Sequence, residues 1–143
     1  LTGLDFSEAM MKEAKARNPE LVKNGSLALH FGSSDRMPFA DGSFDRVYCI
    51  NVVYFWEDPA AHLREVQRVL RPSGQFIAAL RTKATMETMA FTRYGFTKYE
   101  QAEWESVLRT NGFNVIHAER LQEPEIEFEG GRYTPESLVV VAG

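Results

Sequence analysis

The sequence predicts an α/β fold built on a mostly parallel sheet whose last strand runs antiparallel. Three observations carry that expectation. Apolar, β-branched runs alternate along the chain with helix-period segments, the pattern of repeated β-α units. The run from Phe44 to Tyr54 is nearly continuously apolar, as expected of a strand covered on both faces of a parallel sheet. The final apolar runs, Phe113 to Leu121 and Leu138 to Ala142, are joined by a stretch without helical signal, so that pair is expected to be antiparallel.

Each element has a local reason. Leu1 to Asp5 is a short apolar run that ends in an acid. Ser7 then suits the N-cap of a helix, with Glu8 at the positive end of its dipole. Ala9, Met10, Ala14 and Ala16 favour helix, and Asn18-Pro19 is expected to stop it. Ser26 to Phe31 alternates as a strand, and Gly32 to Ser43 has the composition of a loop. Asp58-Pro59 marks the start of a helix carrying Leu63, Val66 and Leu70 on one face and ending before Pro72. Ser73-Gly74 is expected to turn the chain into the strand Gln75 to Leu80. Trp104, Val107 and Leu108 share a face of the next helix, and Gly112 stands at its C-terminal stop.

Bulk properties narrow the function. At 143 residues the chain is expected to form a single domain, 1–143. A net charge of −4 without a basic cluster gives no footprint for nucleic acid or for an anionic membrane surface. The longest apolar run, Tyr48 to Trp56, is too short to span a bilayer. The one cysteine, Cys49, has no internal partner and is expected to be an inert buried thiol in a cytoplasmic protein. Because Leu1 already reads as part of a strand, an N-terminal truncation is expected.

Three stretches combine into a resemblance. These are Leu1-Thr2-Gly3-Leu4-Asp5-Phe6-Ser7-Glu8-Ala9-Met10; Met37-Pro38-Phe39 with Asp41-Gly42-Ser43-Phe44-Asp45-Arg46-Val47; and Glu65-Val66-Gln67-Arg68-Val69-Leu70-Arg71-Pro72-Ser73-Gly74. Gly112-Phe113 adds a fourth, weaker element. In order and spacing the set resembles class I S-adenosylmethionine-dependent methyltransferases of the type 11, UbiE-like branch. The resemblance implies a Rossmann-like, doubly wound sheet in the order 3-2-1-4-5-7-6. It also implies S-adenosyl-L-methionine as cofactor and methyl transfer to a small-molecule acceptor.

The resemblance also implies site residues. Asp5 corresponds to the acid that accepts hydrogen bonds from the ribose diol; alternatively it caps the helix or faces water. Phe6 would lie near the adenine. Ser33 and Ser34 occupy the place of an adenine-binding Asp, with Asp35 two residues on; all three are equally readable as turn residues. Asn51 leaves the end of the family's fourth strand on the cofactor side. Of the aromatics that follow it, Tyr54, Phe55 and Trp56, one or two are expected to pack in the core, and Tyr54 and Trp56 are the better candidates to line the acceptor pocket. The aromatic and Met-rich stretch Thr82 to Tyr99 either covers that pocket or forms a satellite cluster. No catalytic base is assigned. His30, His62 and His117 match no metal or triad spacing, and no metal site is expected. Glu123, Glu125, Glu127 and Glu129 alternate as the solvated face of an edge strand.

One part of the family pattern is absent. The ten glycines include no G-x-G, so the turn that lets the backbone approach the methionine end of the cofactor is not in this sequence. The first strand, central in the family sheet, is missing with it. Its neighbours would then present unpaired backbone groups, each costing roughly 1–3 kcal/mol if buried. Direct pairing of the second and fourth family strands, a strand from another chain, or a homo-oligomer would close the gap. A non-catalytic, methyltransferase-like scaffold or partner-binding module is the alternative function.

Overall fold

The computed structural model describes residues 1–128 and 130–143. Strand β1 (Thr2–Asp5) leads into α1 (Glu8–Arg17), which Ser7 caps by accepting from the Met10 N–H at 3.3 Å. Pro19 ends α1 as expected, yet also opens a short second helix, α2 (Pro19–Lys23), where its missing N–H costs nothing. Strand β2 (Ala28–Phe31) then lies parallel to β1, Asp5 opposite Phe31.

The second half follows the same logic on a larger scale. Strand β3 (Phe44–Ile50) leads through a 3-10 turn, Val53–Phe55, to α3 (Pro59–Val69). Strand β4 (Leu70–Arg81), α4 (Lys83–Thr88) and a 3-10 turn at Ala90–Arg93 come next. Then follow α5 (Gln101–Thr110), β5 (Val115–Gln122), the hairpin β6 (Ile126–Phe128) and β7 (Gly131–Tyr133), and β8 (Glu136–Ala142). The four main strands order as β3-β4-β8-β5, with β3 parallel to β4 and β8 antiparallel to both its neighbours. With β2 and β1 set beside them, this is the Rossmann-like order without its first, central strand.

Packing is one-sided. Leu63 and Val66 of α3, and Trp104 and Leu108 of α5, bury against Phe76, Ala78, Leu80, Leu138, Val140 and Ala142. The register of β3 on β4 places Tyr48 opposite Ile77 and Ile50 opposite Ala79, on the other face. There Tyr48 and Ile50 remain 55% and 61% exposed. The expected strand buried on both faces, Phe44 to Tyr54, is therefore corrected in two ways. It ends at Ile50, and only one of its faces is covered, because no described helix shields Tyr48 and Ile50.

The gap expected in the sheet is present. Among the described residues β1 pairs only with β2, and β3 only with β4. Direct pairing of β1 with β3, one of the three expected closures, does not occur. The β1–β2 unit is tied instead to the entry of β3 and the first turn of α3. His30 meets the Phe39 ring edge-on at 5.1 Å, and the Ser34 hydroxyl sits 2.8 Å from His62 Nδ1.

Two smaller expectations also change. The turn at Ser73-Gly74 lies inside β4, which starts at Leu70 and rejoins β3 across a register shift between Phe44 and Arg46. A side chain at Gly74 would meet the Arg71 carbonyl at 2.9 Å and the Asp45 carbonyl at 3.2 Å, so the close approach of the two strands requires glycine there. The acidic run does not form one solvated edge strand. Glu123 pairs with Arg81 at 3.1 Å and accepts from Ser137, Glu125 lies 3.5 Å from Arg132, and Glu127 is exposed in the β6–β7 hairpin. Glu129 lies outside the described residues.

Candidate active site at the carboxyl ends of the strands

In open α/β sheets ligands sit beyond the carboxyl ends of the strands, next to a switch in strand order. Here that place lies between β1 and β3. Asp5 ends β1, and its Oδ1 accepts from the Ser7 N–H at 2.8 Å, which makes it part of the cap of α1. Its second oxygen has no hydrogen-bond partner among the described residues. One oxygen holds the turn, as the helix-cap alternative expects, and the other is left without an internal partner among the described residues. Phe6, next in sequence, is 71% exposed at the mouth of the gap.

The loop after β2 turns inward on itself. The Ser33 side chain hydrogen-bonds Asp35, and this bond chiefly holds the Asp35 carboxyl below its usual range. Ser34 is engaged by His62, whose ring stacks on Trp56 at a 4.6 Å centroid distance and 5° between planes. Burial lowers the His62 pKa, with Asp35 and Asp58 opposing. Both serines therefore already hold internal partners. His62 is a satisfied structural histidine rather than a surface one.

Across the gap, Asn51 follows β3 in a left-handed conformation, φ 57°, which Asn tolerates better than most residues. Its N–H donates to the Ala79 carbonyl at 2.8 Å, and its Oδ1 accepts from the Tyr54 hydroxyl at 3.0 Å. Tyr54 and Trp56, expected to line the acceptor pocket, are instead buried at 4% exposure each. The 3-10 turn explains this correction. Tyr54 and Trp56 point toward the packed side, with Trp56 against Trp104 at 6.1 Å. Phe55, between them, is 53% exposed and meets Phe96 at 4.8 Å. The Thr82 to Tyr99 stretch divides in the same way: Met86, Met89 and Tyr99 are buried, while Phe91 and Tyr94 are exposed.

Arg81, at the end of β4, escaped the sequence reading. Its backbone N–H donates to the Tyr54 hydroxyl, and its side chain pairs with Glu123 at 3.1 Å. A charged residue closing a buried apolar strand was the available signal. Cys49, expected to be buried, is only partly so, and desolvation pushes its thiol pKa up to about 12.

The motif residues serve a different purpose. Arg68 grips both Glu65 oxygens at 2.7 Å, donates to Asp41 at 2.8 Å, and reaches the carbonyls of Phe39 and Met37 at 2.7 and 3.0 Å. Glu65 in turn accepts from the Met37 N–H at 2.7 Å. One Arg71 guanidinium nitrogen, Nη1, donates to both Asp45 oxygens at 2.8 and 2.9 Å, while its Nε reaches the Gly42 carbonyl at 3.2 Å. The second and third motif stretches are thus two halves of one clamp that fixes the entry of β3 against α3. Only a planar, multidentate guanidinium can join so many acceptors in this way.

Comparison with known proteins agrees with this architecture. The family model for the methyltransferase domain matches residues 1–78. An uncharacterized methyltransferase of Bacillus subtilis, YodH, is 33% identical over 139 residues, covering 90% of this chain and 57% of its own length. A demethylmenaquinone methyltransferase of Beutenbergia cavernae is 40% identical over 75 residues, 52% of this chain and 29% of that protein. An O-methyltransferase of Aspergillus sclerotiorum, resE, is matched over 30% of its length, so the chain spans at most 57% of these relatives. Among solved structures, an S-adenosylmethionine-dependent methyltransferase from Mesorhizobium loti superposes with a TM-score of 0.71 at 20% identity, covering 99% of this chain and 78% of that one. A chain from the complex of the Haloferax volcanii Trm112 methyltransferase activator with a methyltransferase gives 0.80 at 23% identity, covering 99% and 70%. The chain belongs to the methyltransferase domain family, type 11, of class I S-adenosyl-L-methionine-dependent methyltransferases.

Proposed function

We propose that this chain carries the ribose side and the acceptor side of a site that transfers a methyl group from S-adenosyl-L-methionine to a small molecule. The observation that carries the reading is Asp5, at the carboxyl end of β1 beside the gap, with one carboxylate oxygen unspent. Asp5 would hold the ribose, Phe6 and the Ser33–Ser34 loop would border the adenine, and Asn51 would face the amino-acid end. When bound, the cofactor supplies an electrophilic methyl on a sulfonium. The residues here supply orientation and a dry wall, to which Phe55 and Phe96 contribute. A small acceptor is favoured by the net charge of −4 without a basic cluster. No described helix is long and apolar enough to cross a membrane, and a cytoplasmic setting accords with the lone free thiol, Cys49.

Isothermal titration with S-adenosylhomocysteine tests the reading. Micromolar binding is expected, and Asp5→Ala should weaken it at least about tenfold through loss of charge-assisted bonds. The alternative reading is a non-catalytic, methyltransferase-like scaffold. No binding by the wild-type chain would decide for the scaffold. The proposal includes self-association across the β1–β3 gap, supported by the unpaired strand edges and by exposed Phe6, Phe31, Tyr48 and Ile50. Light scattering that returns a monomer rejects that part alone.

A further inference from the structure

Resting on the cofactor reading above, we infer that Tyr54 is a positioning residue that turns the Asn51 amide nitrogen outward, so that Asn51 reads the carboxylate of the ligand's amino-acid end rather than its ammonium. The direction of the hydrogen bonds carries this. The Tyr54 oxygen accepts from the Arg81 backbone N–H, a group that can only donate. The phenol hydrogen is therefore left to go elsewhere, and the acceptor within reach is Asn51 Oδ1 at 3.0 Å. Tyr54 is 4% exposed and held between Phe55 at 6.2 Å and Phe96 at 6.1 Å, so its ring is boxed in and water does not compete for the hydrogen. Burial also raises its pKa to about 12, which keeps the hydroxyl a donor at neutral pH. With Oδ1 turned inward onto Tyr54, Nδ2 is the amide atom that Asn51 presents outward. That nitrogen has no partner among the described residues, on an exposed side chain at the end of β3. An amino-acid end presents one acceptor, the carboxylate, and one donor, the ammonium. An amide fixed with its nitrogen outward selects the carboxylate.

The test is calorimetric titration of the chain with S-adenosylhomocysteine and with its decarboxylated analogue, which keeps the ammonium. The wild type should prefer the carboxylate-bearing ligand by about tenfold, the worth of one such contact. Asn51→Asp keeps an oxygen for Tyr54 but turns a second oxygen outward, and should abolish or invert the preference. Tyr54→Phe should reduce the preference several-fold. If Tyr54→Phe does not fold, Asn51→Asp decides. Equal losses for both ligands in Asn51→Asp, or no preference in the wild type, overturn this assignment and leave the cofactor reading standing. Binding of neither ligand by the wild type overturns both.

Discussion

The four-stranded sheet and the β1–β2 pair are built from the same kind of β-α unit, yet they are anchored very differently. The larger unit places two amphipathic helices on one sheet face and buries Trp104, Phe76, Leu63 and Leu80 almost completely. From the first 31 residues only Met11 and Leu27 are buried. The residue implied in ribose binding, Asp5, thus stands on the weakly packed unit, whereas Asn51 stands on the strongly packed one. Binding across the gap would draw on a rigid wall and a compliant one, as is usual where a ligand must enter before its site closes.

Three substitutions would break or sharpen this contrast. Trp104→Ala should cost the most, about 3–5 kcal/mol, because it opens a large cavity where α5 meets the sheet. Chemical denaturation should show a lower midpoint, and hydrogen exchange should speed up throughout β4 and β8. Arg68→Lys keeps the charge but loses the fork onto Glu65, Asp41 and two carbonyls. It should lower the melting temperature less than Trp104→Ala, and exchange should rise first at Met37 and Gly42, whose N–H groups bond to Glu65 and to the Arg68 carbonyl. Ser7→Ala should be smallest, about 1 kcal/mol of helix stability from a lost N-cap. Its exchange signature should stay within α1. Spread of that signature into β4 would show that the two units are coupled more tightly than their packing indicates.

What could be read from the sequence follows from how local each signal is. The start of α3 was legible because Asp58 and Pro59 act within one turn: the Asp58 side chain accepts from the Ala60 N–H at 3.1 Å. The strand order was legible only through the resemblance, since no local signal places β8 between β4 and β5. The open face of β3 was not legible, because a run such as Val47 to Ile50 reads the same whether or not a helix covers it. The aromatics after Asn51 were misassigned for a related reason. Three consecutive rings in a tight turn have no period to say which one points outward, and here it is Phe55. The clamp role of Arg68 was hidden inside a motif, whose residues are easily taken as chemistry when they serve position.

The placement of β8 bears on how the molecule comes into being. It lies between β4 and β5 and pairs with both, although it follows them in the chain. During synthesis, then, β4 and β5 emerge without their shared neighbour, each carrying an open ladder of backbone groups. The sheet becomes continuous only when residues 136–142 leave the ribosome. Such a late, long-range closure makes assembly of this half a single concerted event, and one with an interval in which a holdase chaperone has exposed strands to guard.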